Sequence, residues 1–214
     1  MWVSRYFTSS LGKKSLMAVS GWGLALFLMV HLAGNATTFF GRDVFNSYAA
    51  HLDALSVVVH CFEVLLLLFF LVHVFTGVTL YVENLKARPK RYKVSRIKGR
   101  NLASWLAPYT GFLTFVFLAV HLMNFRFAHL KLPVADAVRQ LLHRPVFAFF
   151  YMIAMVGVGF HICHGLWSML QSLGINHPKY NPLLEKGAVT VGIIMASIFF
   201  LIPLLALLVN GFLR

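Results

Sequence analysis

Four histidines stand deep in long apolar runs: His31, His73, His121 and His161, one in each of the first four runs and none in the fifth. Burying an imidazole in hydrocarbon is costly, so each asks for a partner, and neutral imidazole is a common metal ligand. A single histidine on an apolar face is more often a satisfied core residue than a ligand. Four of them on four runs shift that balance, and counting along the chain sorts them into two levels. His31 lies 16 residues past Ser15 and His121 lies 17 past Ser104, which puts both ~25 Å from one membrane edge at the rise of an α-helix. His73 lies ten residues before Glu83 and His161 ten before Gln171, ~15 Å from the same edge.

Two imidazoles at one depth on different helices are what axial ligation of one haem iron requires, with the flat macrocycle held between facing helices. Two levels therefore imply two stacked haems, His31 with His121 nearer the outside and His73 with His161 nearer the inside. An iron with both axial positions filled has no open site for oxygen or substrate, so its chemistry is single-electron transfer. Glycines repeat the pairing: Gly21 precedes His31 by ten as Gly111 precedes His121, and Gly77 follows His73 by four as Gly165 follows His161. A glycine one turn from a ligand leaves room for a porphyrin face, and one ten residues inward lies near the depth of the other ring. Close helix packing is the competing use of the same glycines. His164, three residues after His161, could reach the same face; its alternative role is a hydrogen bond to a haem propionate or a helix end.

The elements that must carry these residues follow from composition. The 214 residues are 59% hydrophobic and 12% charged, with 19 Lys plus Arg against six Asp plus Glu, and a mean hydropathy of +0.77. The cations sit in short gaps between apolar runs, which excludes a soluble nucleic-acid binder. Five runs, about 15–40, 55–82, 102–125, 145–173 and 187–212, are long enough to cross a ~30 Å hydrocarbon core as α-helices. The expectation is an all-α integral membrane protein, a five-helix bundle in a single domain over 1–214. With the N-terminus inside, 13 cations fall on the inner side and six on the outer, so the N-terminus is expected to be cytoplasmic. An amphipathic stretch around 134–142, with Asp136, suggests a short interfacial helix in the outer connection. The basic run from Lys86 to Arg100 reads either as a lipid-facing stop-transfer loop or as a docking face for a soluble subunit. Cys61 and Cys163 form no CxxC motif, and no phosphate-binding loop, G-x-S-x-G elbow or HExxH is present.

A second polar group gathers at the outer end of the second run: His51 and Asp53 before it, His60 and Glu63 at its start. An acid such as Glu63 near hydrocarbon is expected to keep its proton, because burial penalises the charged form. A quinone reduced by two electrons also takes up two protons, so a carboxyl and an imidazole near the outer haem suit a proton relay. Solvation of a helix start explains His51 and Asp53 as well.

With these residues in place, the chain resembles the dihaem cytochrome b membrane-anchor subunit of succinate dehydrogenase and fumarate reductase. The likeness runs over nearly the whole chain: Ser20-Gly21 leading to His31-Leu32, Phe45-Asn46-Ser47 followed by Asp53, Thr110-Gly111 leading to His121, and Phe160-His161 followed by Gly165-Leu166-Trp167-Ser168. It implies two haem b, with His161 rather than His164 as the axial ligand, and packing against the haems by Ser20, Trp105 and His164. It also implies a flavoprotein with covalent FAD and an iron-sulfur subunit docked on the cytoplasmic face, and a quinone, often menaquinone, toward the outer side. Asp53 falls where the family pattern has an acid, and so inherits a quinone role. The chain would then be the quinone-reactive subunit in a bacterial cytoplasmic membrane, with no dicarboxylate site of its own. The alternatives are a cytochrome b anchor of a hydrogenase or formate dehydrogenase, against which the Phe160 to Ser168 motif argues, and a haem-free transporter.

Overall fold

The computed structural model describes residues 2–87, 102–128 and 132–213, with side chains from Arg5 and from Trp105 onward in the first two stretches. Arg88, Lys90, Arg91, Lys93, Arg96, Lys98 and Arg100 of the basic run lie outside the described residues, as do Lys131 and Arg214. Among the described residues every regular element is helical. Five helices are long and apolar enough to cross a membrane: α2 (Ser10–Ala36, continued by a 3-10 turn over Thr37–Phe40), α4 (Ser56–Lys86), α5 (Leu102–Phe125), α7 (Pro145–Ser172) and α8 (Asn181–Leu208). Three short ones accompany them: α1 (Trp2–Thr8), α3 (Arg42–Ala54) and α6 (Val134–Leu142).

Helices α2, α4 and α8 each overrun at one end the apolar window from which they were expected, because helix ends are set by caps and ion pairs as well as by hydropathy, whereas α5 and α7 match theirs to within a residue. The Ser9 hydroxyl caps α2 by accepting the Gly12 N–H at 3.1 Å, and Lys13 on α2 pairs with Glu83 on α4, which carries α4 past Val82. Pro182 stands in the first turn of α8, a position proline suits, so this helix starts at Asn181 rather than near 187. It ends at Leu208, and the chain folds back so that Leu213, at φ +58°, is only 3% exposed.

The stretch 41–54, expected as a connection, is helix α3. It is too short to cross a bilayer and lies with α6 across one end of the bundle. Gly41, at φ +103°, turns the chain into it. Phe45 is buried against Ala135, Val138 and Leu142, and the Tyr48 ring fills a notch at Gly34, where an added Cβ would come within 2.4 Å of its hydroxyl. Arg42 donates to Asp136 from Nε at 3.1 Å and from Nη2 at 2.7 Å, and Asn46 Oδ1 accepts the Ala135 N–H at 3.0 Å, satisfying the start of α6 from another helix. The Arg42 hydrogen bond holds the Asp136 carboxyl below its ordinary value, so this clamp stays charged at neutral pH.

Two similar helix pairs make up the bundle: α2 packs on α4, and α5 on α7, with α2 and α7 side by side between them. The likeness extends to detail. Ser20 and Thr110, each just before a site glycine, are buried and return their hydroxyls to the carbonyls four residues back, at 2.7 and 3.1 Å. Between α4 and α5 the Phe70 and Phe115 rings stack, 6.0 Å apart and 13° from parallel. Helix α8 lies outside this repeat and buttresses α7 through small residues: a Cβ on Gly192 would stand 2.5 Å from Cys163 Sγ, and one on Gly159 2.7 Å from Ala196. Such close approach is how helices associate where lipid removes the hydrophobic drive.

Candidate metal centres in the bundle

Helical rise alone put the four histidines on two levels, and the fold brings the members of each level together. The His31 and His121 ring centres are 5.9 Å apart with planes at 85°, and those of His73 and His161 are 6.2 Å apart at 83°. Two in-line metal–imidazole bonds of about 2.0 Å, with about 1.1 Å from each nitrogen to its ring centre, separate the centres by about 6.2 Å. Both pairs stand near that spacing before any ion is considered. Each pair also joins two helices of different repeats, α2 to α5 and α4 to α7.

A histidine kept only for packing would satisfy its ring nitrogens within the protein. His121 Nδ1 and His161 Nδ1 are instead buried with no hydrogen-bond partner. His73 Nδ1 donates to the Met17 carbonyl at 3.3 Å, which leaves its Nε2 lone pair for a metal, the tautomer such a bond selects. In the second repeat the Ala107 carbonyl faces His161, four residues before Gly111 as Met17 is four before Gly21. Among the described residues no three potential ligating side chains converge. Each centre, among the described residues, offers two imidazoles as donors.

Within each repeat a glycine of the first helix serves the imidazole of the second. A Cβ on Gly21 of α2 would lie 3.1 Å from His73 Cε1, and one on Gly111 of α5 3.3 Å from His161 Cε1. Gly165 has no atom within 4 Å of such a Cβ, so α7 borders open space one turn inward of His161. The environments of the centres differ. The outer pair is walled by rings, with Phe27 and Phe199 at 5.3 and 5.9 Å from His31, and Phe125, Phe117 and Tyr151 at 5.2, 5.5 and 6.2 Å from His121. The inner pair is bounded by backbone carbonyls and glycines.

No family model matches the chain, and no solved structure does. Among curated proteins, the succinate dehydrogenase cytochrome b558 subunit of Bacillus subtilis (strain 168) is 28% identical over 155 residues, which cover 71% of this chain and 74% of that one. The chain is thus similar to a succinate dehydrogenase cytochrome b subunit over about seven-tenths of each length. It is accordingly a multi-pass membrane protein.

The outer polar residues do not form one cluster. His51 Nδ1 bonds the Ser47 carbonyl and His60 Nδ1 the Ser56 carbonyl, each 2.6 Å away on its own helix. Asp53 opens on a cleft of about 440 Å³, with Asn46, Leu132 and Pro133 also in its wall. Glu63 departs from the expectation that it keeps its proton. Arg126 donates to its two carboxylate oxygens from Nε and Nη2, at 2.8 and 3.0 Å, the fork of a guanidinium on an ionised carboxylate. That partner is 63 residues away in sequence, and no helical spacing announced it. A further pair the sequence did not flag, Asn124 donating to Tyr151 Oη at 3.1 Å, lies beside His121. Trp105 is half exposed near the inner end of α5, and His164 is partly buried on α7.

Proposed function

We propose that this chain is the membrane anchor and electron-transfer subunit of a succinate dehydrogenase or fumarate reductase complex. His31 with His121, and His73 with His161, would each hold one haem b. The observation that carries this reading is the pair of imidazole–imidazole spacings, 5.9 and 6.2 Å, at two depths in one lipid-embedded bundle. When bound, the haems supply one-electron transfer across the membrane. The protein's own part is to fix both ring pairs, to keep water from them with aromatic walls outside and close helix contacts inside, and to separate the levels by the helical rise.

In this reading a flavoprotein with FAD and an iron-sulfur subunit dock at the end nearer His73 and His161, on the cytoplasmic face of a bacterial membrane, and a quinone, menaquinone in the simplest case, binds toward the other end. The cation asymmetry supports that orientation. Asp53, with His51 nearby on α3 and His60 on α4, would serve quinone protonation; the cleft beside Asp53 supports its inclusion.

Purification of the full chain from its native membrane tests the whole reading. The expected outcome is a reduced-minus-oxidised spectrum with b-type bands, and co-recovery of a flavin subunit and an iron-sulfur subunit. A colourless intact protein would overturn it. Within that complex, Asp53→Asn is expected to slow quinone turnover severalfold at unchanged haem content, and unaltered turnover would remove Asp53 from the quinone site.

A further inference from the structure

The inner half of α7 carries polar groups that neither the ligand pairs nor the helix contacts use. Gln171 Nε2 is buried and has no hydrogen-bond partner among the described residues. A buried donor left unmatched is costly, so a native fold rarely keeps one without an acceptor from somewhere. Ser168, partly buried, makes no hydrogen bond among the described residues, whereas Ser20, Thr76 and Thr110 all return their hydroxyls to their own helix. His164 is likewise partly buried and makes no side-chain hydrogen bond among the described residues. At i, i+4 and i+7 these three share one strip of α7, which begins one turn inward of His161 and runs beside the open space at Gly165. Side chains on a helix lean toward its N-terminus, so on α7 they reach back toward the His161 level.

What meets the strip must present an acceptor. The carbonyl end of α7 alone would disfavour an anion, but α2 and α5 begin at this same end of the bundle, and their N-termini offset it. Lys13 adds a cation there, shared with Glu83.

We propose that His164, Ser168 and Gln171 form a carboxylate-binding strip that receives the acid side arms of the macrocycle held between His73 and His161. This rests on the haem reading above and adds the direction in which the inner macrocycle faces, its carboxylates toward the inner edge. It also gives His164 a role other than ligation.

The test follows haem leaving the full-length purified protein for excess apomyoglobin, read by absorbance, so the outer haem serves as an internal control. Gln171→Leu is expected to release one of the two haems about tenfold faster or more, the scale of losing a hydrogen bond to a charged group, with the other unchanged. Gln171→Lys should restore slow release, since an ammonium can replace the amide donor. Protein reconstituted with haem dimethyl ester, which has no carboxylates, should lose it at the same rate from wild type and Gln171→Leu. Equal release of ordinary haem from wild type and Gln171→Leu would overturn the proposal. So would a Gln171→Leu effect that persists in full with the ester. Unaltered haem release with loss of an anionic phospholipid that the wild type retains would reassign the donor to a lipid headgroup. A wild type with no haem would instead defeat the haem reading itself.

Discussion

His161→Ala is expected to remove one haem and leave the other, halving the haem-to-protein ratio, while His164→Ala keeps both bound. The two imidazoles are three residues apart on α7, so sequence distance does not choose between them. The ring of His161 stands 6.2 Å from that of His73, within a few tenths of an ångström of the spacing that two bonds to one metal impose. It occupies a place at Gly111 that a side chain would close. His164 has no ring contact with the opposite pair. Deleting a sole axial imidazole leaves His73 facing a methyl group across the site, whereas deleting His164 removes at most one contact to the bound group. Because the inner centre lies nearer the proposed docking face, His161→Ala should also abolish quinone reduction by the soluble partner at intact complex assembly. The haem-to-protein ratio and a low-temperature difference spectrum of both variants check this. Loss of a haem from His164→Ala alone would exchange the roles of the two residues.

The two levels were legible in the sequence because helical rise is nearly constant, so ten or sixteen residues convert to depth with little error wherever the chain is helical. Lateral position has no such ruler. Depth grouped His31 with His121 and set Gly21 near the level of the other ring, but spacing alone does not say that Gly21 faces the His73 imidazole rather than lipid. Helix α3 escaped for a related reason. A search for runs of ~20 apolar residues does not see a 13-residue amphipathic helix whose buried face is Phe45 and Tyr48, whereas α6, read from its periodicity, was found at its observed bounds. The acid Glu63 was judged by its own helix alone. Its state depends on Arg126, which belongs to a different helix end and came close only through the bundle. Long-range ion pairs such as Arg42 with Asp136 are invisible in the same way: each partner looks like an ordinary interfacial charge until the two helices cross.

That lateral arrangement sharpens the depth expectation for two glycines into a contact with named imidazoles. Gly21 and Gly111 each lie ten residues inward of an outer ligand on the same helix, which by helical rise sets them near the depth of the inner ring. In the fold they support the inner imidazoles. A Cβ at Gly21 would already stand 3.1 Å from His73 Cε1 and 3.3 Å from Nδ1, and one at Gly111 3.3 Å from His161 Cε1. A single methyl asks the ring to move by a few tenths of an ångström, but a branched chain fills the ring's own place. Gly21→Leu and Gly111→Leu are each expected to lose the inner haem and keep the outer one. Gly187→Leu on α8, where a Cβ meets nothing within 4 Å, should keep both, which separates this effect from bulk added to any membrane helix. Redox titration distinguishes the haems: each of the first two variants should lose the same component that His161→Ala loses. If they lose the component that His31→Ala loses instead, the glycines do not seat the inner rings, and the packing of α2 on α4 and α5 on α7 within each repeat is not what positions the metal centres.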